Sequence, residues 1–167
     1  SGQYANLSPV DAIKQAAKVT GMDENTLLAY AKIESGLRSG IQNSASSAAG
    51  LFQIVTPTWD SLVARKGPQY GIPPNASKSN PYYNAVMAAE YAKENLAQLT
   101  EYKSAGIEDS TAMYLAHHYG PSGANKIITQ LKSDPNNLMR SAVSNSAYNS
   151  NQKEIGNHTV GSYVQQV

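Results

Sequence analysis

One glutamate occupies a position suited to acid and base chemistry. Glu34 lies four residues after Tyr30 and seven after Leu27 in a predicted helix, which places its carboxylate on the apolar stripe of that helix. Loss of water around a carboxylate favours the protonated acid, the form that can donate a proton near neutral pH. Helix position alone leaves a plainer alternative open, in which Glu34 turns outward to water or pairs with Arg38.

Several sequence blocks accompany Glu34 in a fixed order. They are I-E-S-G-L at 33–37, S-A-A-G-L-F-Q-I at 47–54, T-P-T-W at 56–59, N-P-Y-Y-N-A-V-M-A-A-E-Y at 80–91 and Y-L-A-H-H-Y-G-P-S-G-A at 114–124. This order resembles the catalytic domain of the soluble lytic transglycosylases (SLT), which have a lysozyme-like fold. The last block is similar to variants in phage-encoded and virion-borne members, which makes a phage origin an open possibility.

The resemblance implies roles for individual residues. Glu34 takes the place of the family's catalytic acid, and Ser35 takes that of the serine beside it, which is expected to contact the substrate. Residues 50–53 occupy the family's Gly-Leu-Met-Gln block, with Phe52 in place of methionine. Phe52 and Gln53 are therefore expected to line the substrate groove, Phe52 by stacking on a sugar face.

The block at 114–124 corresponds to the family's third motif, which is usually Ala-Tyr-Asn, and we call it the third block. It departs further from the family sequence than the other blocks do. His117 stands where the family has tyrosine and His118 where it has asparagine. A groove-lining role for His117 and a plain core or surface histidine are both open. Among the eleven tyrosines, Tyr119 and one of Tyr82 or Tyr83 are expected to contact sugar, although tyrosines at helical spacing are more often packing residues.

No metal or other cofactor is expected. Neighbouring residues on a helix, such as His117 and His118, point about 100° apart and cannot form an i, i+4 ligand pair. The sequence also lacks the H-E-x-x-H pattern of zinc proteases.

The resemblance implies a lytic transglycosylase that acts on peptidoglycan glycan strands. Standard glycosidases use two carboxylates, whereas no acidic residue lies between Glu34 and Asp60. In the implied reaction Glu34 protonates the bond between N-acetylmuramic acid and N-acetylglucosamine, then takes the proton of the sugar's 6-hydroxyl as a 1,6-anhydro ring closes. One alternative is a hydrolytic lysozyme close to the goose type. A second is a non-catalytic wall-binding or virion structural module.

The elements that must position these residues are mainly helical. Four capping residues stand directly before proline and predict helix starts: Ser8-Pro9, Thr56-Pro57, Asn80-Pro81 and Asp134-Pro135. Further helices are predicted over Asp23 to Ser35, Ser110 to His118 and Ser122 to Leu131. The long irregular segments 37–49 and 66–78 are expected to form the groove walls. Thr159 to Val164 is the best candidate for a minor strand.

Composition predicts one globular domain across residues 1–167, with residues 1–7 and parts of 144–167 poorly ordered. A formal charge of +1 argues against nucleic acid as a partner. No apolar run approaches the ~20 residues that a membrane-spanning helix needs, so no membrane insertion is expected. The first residues lack a signal-peptide pattern. The isolated domain is expected to be monomeric and to act in the periplasm, at the cell surface or on a virion.

Overall fold

The protein is mainly α-helical, as predicted for a lysozyme-like helical domain. The computed structural model describes residue 4 and residues 6–167, so Ser1, Gly2, Gln3 and Ala5, all within the segment expected to be poorly ordered, lie outside the described residues. Its α-helices are α1 (Pro9–Thr20), α2 (Glu24–Ser35), α3 (Thr56–Lys66), α4 (Pro81–Ala97), α5 (Asp109–Ser133), α6 (Asn145–Ser150), α7 (Gln152–Ile155) and α8 (Val160–Gln166). Short 3-10 helices occupy Pro68–Tyr70 and Met139–Ser141. Within the described residues, no helix combines the length and apolar character needed to cross a membrane.

The helix starts follow mostly from capping chemistry. The Ser8 side chain accepts a hydrogen bond from the backbone N–H of Asp11, and Asp23 caps α2 in the same way. The predicted start at Asp134-Pro135 is wrong, because Asp134 is instead the residue that ends α5. Asp134 therefore follows the C-terminus of α5. A capping residue before proline does not by itself distinguish the start of a helix from its end.

The predicted strand at Thr159 to Val164 is also wrong, because this stretch forms α8. The Thr159 hydroxyl accepts from the backbone N–H of Ser162 at 3.1 Å, and Ser162 Oγ accepts from the backbone N–H of Thr159 at 3.0 Å. This reciprocal capping box satisfies N–H groups at the helix start. The β-branched residues suggested alternation, whereas the cap and the packing of one apolar face favour the helix.

The chain forms two compact units, residues 1–93 and 94–167, which are described in turn. The single-domain organisation stays a prediction. The core of the first unit combines residues of α1 to α4 with the loop that precedes α3. Its fully buried members include Ala12, Ile13, Leu27, Tyr30, Leu51, Phe52, Ile54, Leu62, Val86 and Met87.

A buried carboxylate anchors the first unit. Glu90 on α4 accepts hydrogen bonds from the Tyr70 hydroxyl and from Lys93 Nζ, each at 3.0 Å, and Lys66 Nζ lies 4.0 Å away. Lys93 also donates to the Thr20 carbonyl at the end of α1. Burial, followed by the hydrogen bond to Glu90, raises the pKa of Tyr70. A buried charge persists when it is paired and hydrogen-bonded, so this cluster joins three helices and the 3-10 helix at Pro68–Tyr70.

The second unit is built around α5, which is kinked. The helices predicted over Ser110 to His118 and Ser122 to Leu131 are its two halves, separated by Gly120 at φ 71° and ψ 161° and followed by Pro121. Glycine adopts this conformation without the clash that a Cβ would cause. The C-terminal segment packs against α5 through fully buried residues of α7 and α8: Ile155, Val160 and Tyr163.

Candidate functional site

Glu34 lies in the last turn of α2, and its residue is half-buried. The helix ends at Gly36, with φ of 63°, and Leu37 continues in the same left-handed region at 65°. Beside Glu34 the Tyr30 side chain is fully buried, and its pKa is raised mainly by burial and then by the Glu34 charge. The Glu34 carboxyl therefore lies close to an aromatic residue of the core, where water is partly excluded.

Ser35 links the end of α2 to the following sequence block. Its hydroxyl donates to the Leu51 carbonyl at 2.6 Å, and it accepts from the backbone N–H of Arg38 at 3.2 Å. Arg38 Nε in turn donates to the Ser35 carbonyl at 3.0 Å. Ser35 is buried, so its hydrogen bonds hold the backbone next to Glu34 against the loop at 50–53.

The block at 50–53 forms a tight loop with unusual backbone angles. Gly50 has φ of 83° and Gln53 has φ of 53°. Gln53 Nε2 donates to the Ile41 carbonyl at 3.1 Å and to the Gly50 carbonyl at 2.9 Å. Isolated antiparallel bridges pair Ala49 with both Gln42 and Ile54. Gln53 is buried, and these contacts make it a support of the loop.

Two segments predicted to form groove walls are held together by one lysine. Lys78 Nζ donates to the Ser47 carbonyl at 2.6 Å and to Thr56 Oγ1 at 2.8 Å. Burial lowers the pKa of Lys78, and the Asp60 carboxylate partly offsets this shift. The segments around residues 47 and 78 are therefore joined at the start of α3.

Asn84 is the main residue of this unit that sequence reasoning missed. It is 0% exposed, and its Oδ1 accepts from the backbone N–H of Phe52 at 2.8 Å. Its Nδ2 donates to the carbonyls of Lys78 at 2.9 Å and Ala49 at 3.4 Å. A Cβ on Gly50 would overlap both the Lys78 carbonyl oxygen and Asn84 Nδ2. The available signal was the one amide, that of Asn84, within the otherwise apolar or aromatic run P-Y-Y-N-A-V-M-A-A at 81–89.

Two aromatic side chains that were predicted to contact sugar, Phe52 and Tyr82, are buried in the structure. Phe52 is 0% exposed and packs edge-on against Tyr30, with ring centroids 5.0 Å apart. Tyr82 is 4% exposed, and its ring lies 4.4 Å from that of Tyr4 and 6.1 Å from that of Tyr83. Burial, followed by the neighbouring tyrosines, raises the pKa of Tyr82. Neither ring presents an open face in this conformation.

In the second unit, the histidines of the third block lie side by side on α5. The rings of His117 and His118 have centroids 5.0 Å apart and are inclined by 27°, and the Tyr114 ring is 4.3 Å from that of His118. His117 is half-buried and His118 is exposed. The block therefore presents one continuous aromatic surface, and the choice between a groove-lining and a packing role for His117 stays open.

Tyr119 belongs to a cluster of three tyrosines. Its hydroxyl lies 2.6 Å from that of Tyr163, which is 3.4 Å from the hydroxyl of Tyr114. Burial is the main cause that raises the pKa of Tyr119 to about 12 and that of Tyr163 still further. Tyr163 comes from α8, the stretch for which the sequence predicted a minor strand. It fixes the hydroxyl of the half-buried Tyr119.

A comparison with known protein families adds evidence independent of this geometry. Residues 11–157 match the Transglycosylase SLT domain. The matched range includes Glu34, the loop at 50–53, Asn84 and the third block. The match also includes residues 125–157, so it extends beyond the last motif recognised in the sequence, which ends at residue 124. The chain therefore belongs to the transglycosylase SLT domain family, whose members act on peptidoglycan.

Proposed function

We propose that this chain is a lytic transglycosylase that cleaves the β-1,4 bond between N-acetylmuramic acid and N-acetylglucosamine, with Glu34 as its catalytic acid and base. The observation that carries the proposal is the half-buried Glu34 at the end of α2, beside the buried Tyr30. Partial burial favours the neutral carboxylic acid that the first step requires. The family membership supplies peptidoglycan as the substrate class.

The proposed reaction uses Glu34 twice. Its carboxyl proton is transferred to O4 of the leaving N-acetylglucosamine as the bond from C1 of N-acetylmuramic acid to O4 breaks. The carboxylate then accepts the proton of the 6-hydroxyl of the same N-acetylmuramic acid, and O6 bonds to C1. A 1,6-anhydro ring results, no water is consumed, and Glu34 is protonated again. The acetamido group of the substrate stabilises the electron-poor C1 between the steps.

The other predicted residues divide into supporting and substrate-contacting groups. We propose that Ser35, Phe52 and Gln53 are positioning residues, since all three are buried and bonded or packed within the first unit. His117 and Tyr119 are proposed to contact sugar, because both are partly accessible on α5. Tyr82 would contact sugar only after the Tyr4 ring moves away from it. The reaction as written requires no metal or cofactor.

The proposed setting follows from the substrate. The protein would act as a monomer wherever it meets the cell wall, in the periplasm, at the cell surface or on a virion.

The products of peptidoglycan digestion test the proposal. Purified peptidoglycan is treated with the wild type, Glu34→Gln and the control Glu24→Gln, and the soluble muropeptides are weighed by mass spectrometry. Glu24 is exposed in the first turn of the same helix, so its variant controls for charge loss on α2. Wild type and Glu24→Gln are expected to release anhydro-muropeptides, lighter by one water than their reducing-end forms, and Glu34→Gln none.

Each other outcome contradicts a different part of the proposal. Ordinary reducing ends from the wild type would identify a hydrolase of the lysozyme kind. Equal release by Glu34→Gln would remove Glu34 as the acid. Binding of the wild type to peptidoglycan without release of any product would favour a non-catalytic wall-binding module.

A further inference from the structure

A polar cavity opens in the second unit, immediately after the third block. It has a volume of about 680 Å³, which is within the range of about 300–1,000 Å³ for ligand sites. We call it the α5 cavity and define it by its lining residues: Gln98, Pro121, Ser122, Asn125, Lys126, Thr129, Gln130, Ser141 and Ala142. Its lining residues on α5 start at Pro121, two residues after Tyr119, which is proposed to contact the substrate.

One wall of the α5 cavity is a polar face of the helix. Its members follow the helical spacing of three and four residues that places side chains on one face: Ser122, Asn125, Lys126, Thr129 and Gln130. The opposite wall comes from Gln98, after the end of α4, and from Ser141 and Ala142 at the 3-10 helix. A solvated helix face alone is convex, whereas this face forms one side of a concave site.

Internal hydrogen bonds hold the walls in place. Asn125 Oδ1 accepts from the backbone N–H of Thr100 at 3.1 Å, and its Nδ2 donates to the Gln98 carbonyl at 3.0 Å. Gln130 Oε1 accepts from Asn137 Nδ2 at 3.1 Å, which leaves the amide nitrogen of Gln130 for other contacts. The connection after α4 and the turn after α5 are thus both tied to the helix, and a ligand meets a preformed site.

The chemistry of the lining selects a particular kind of ligand. Lys126 is exposed and is the one charged side chain among the nine lining residues, all of which belong to the described part of the chain. Its ammonium group would pair with a carboxylate. Exposed hydroxyls of Ser122 and Ser141 and the side-chain amides offer both donors and acceptors, as a peptide backbone requires. The lining has no aromatic ring on which a sugar face could stack.

We propose that the α5 cavity binds the stem peptide that peptidoglycan carries on N-acetylmuramic acid, with Lys126 paired to a peptide carboxylate. This inference rests on the proposed function for its substrate. It adds a peptide-recognising site to the glycan-cleaving one and makes the protein distinguish glycan strands that carry stem peptides from strands that do not.

Direct binding measurements test the site without relying on catalysis. Spectra of backbone amides labelled with ¹⁵N are recorded for the 167-residue chain with Glu34→Gln, which cannot cleave the glycan if the proposed function holds. The probes are a synthetic stem tetrapeptide with free carboxylates, the same peptide with its carboxyl groups converted to amides, and peptide-free glycan strands. In the last of these the lactyl carboxylate of muramic acid is free, so the two sources of carboxylate are separated.

The matched variants are Lys126→Ala and Lys153→Ala in the Glu34→Gln background. Lys153 is exposed on α7 and does not line the cavity. The free tetrapeptide should shift amide signals of residues 121–130 and 141–142. Lys126→Ala should raise its Kd about fivefold, in line with loss of one exposed ion pair, while Lys153→Ala should leave it unchanged. Added salt should weaken binding because it screens the pair.

Three results would overturn the peptide site. The first is an absence of shifts at the α5 cavity with the free tetrapeptide. The second is equal binding of the free and amidated peptides, and the third is preferential binding of peptide-free glycan at these residues. If any of these accompanies normal anhydro-muropeptide release by the wild type, the proposed catalytic function stands and only the peptide site is rejected. Lack of release by a wild type that still binds the tetrapeptide would reject the catalytic proposal alone.

Discussion

The hydroxyl of Ser35 donates to the Leu51 carbonyl at 2.6 Å, across sixteen residues of sequence. Both residues are buried, so this bond is shielded from competing water. It joins the backbone next to Glu34 to the loop at 50–53. This geometry makes Ser35 the residue that holds the backbone beside Glu34 in place, which the proposed role of Glu34 requires.

Ser35→Ala should therefore affect both stability and turnover. The change leaves the buried Leu51 carbonyl without this donor, which should lower the free energy of unfolding by about 1–3 kcal/mol. Release of muropeptides should slow because the backbone beside Glu34 is less constrained. Urea unfolding followed by circular dichroism checks the first effect. The control Ser61→Ala removes an exposed hydroxyl that accepts from Arg65 Nε, and it should change stability by less than about 0.5 kcal/mol.

Asn84→Ala tests the support of the same loop from α4. It removes the acceptor for the Phe52 N–H and the donor to the Lys78 carbonyl. Leaving these buried groups unpaired should cost about 3 kcal/mol. Asn149→Ala, at an exposed position on α6, is the matched control and should be nearly neutral. Equal urea midpoints for the two variants would contradict the role given to Asn84.

Gly50→Ala should be far more disruptive than Gly71→Ala. Both glycines have left-handed backbones, with φ of 83° and 69°, which costs a non-glycine residue about 1–2 kcal/mol. At Gly71 nothing lies within 4 Å of an added Cβ, whereas at Gly50 it would overlap the Lys78 carbonyl oxygen and Asn84 Nδ2. Melting curves should show a modest decrease for Gly71→Ala and a much larger one, or loss of soluble protein, for Gly50→Ala. Similar decreases in melting temperature for the two variants would mean that the backbone around Lys78 moves away from the added Cβ at little cost in stability.

The sequence predicted those features of the candidate site that depend on residues close together in the chain. Glu34 and Ser35 are neighbours on a helix whose start is coded by Asp23, and the mainly α class follows from caps and periodicity. Asn84 was missed because its partners lie up to 35 residues away in the sequence. A side-chain amide that pairs with distant backbone groups leaves no local pattern.

Tyr163 shows the same limit in a different way. Thr159 to Val164 has the β-branched composition of a short strand, and only the capping box and the burial of Val160 and Tyr163 make it a helix. The hydroxyl of Tyr163 contacts that of Tyr119, which lies 44 residues away in the sequence.

The burial of Phe52 could not be predicted from the sequence either. Its place in a substrate-lining motif says nothing about the packing of Tyr30 against its ring.

The tyrosine pair in the second unit predicts a stability loss at alkaline pH. Burial raises the pKa of Tyr119 from its ordinary 10.0 to about 12 in the folded protein. Between these two values the unfolded chain loses the Tyr119 proton while the folded protein keeps it. The stabilising effect of this difference is therefore fully present below pH 10 and is lost as the pH rises toward about 12.

Tyr119→Phe should reduce this alkaline decline. It removes the Tyr119 ionisation, and it also removes the hydrogen bond that contributes to raising the pKa of Tyr163. The free energy of unfolding is measured in urea from pH 8 to 12 for wild type and variant, and the pH 8 values correct for the lost hydroxyl contact. The wild-type curve should fall more steeply above pH 10. Parallel curves would mean that the Tyr119 hydroxyl is not held in a buried pair with Tyr163.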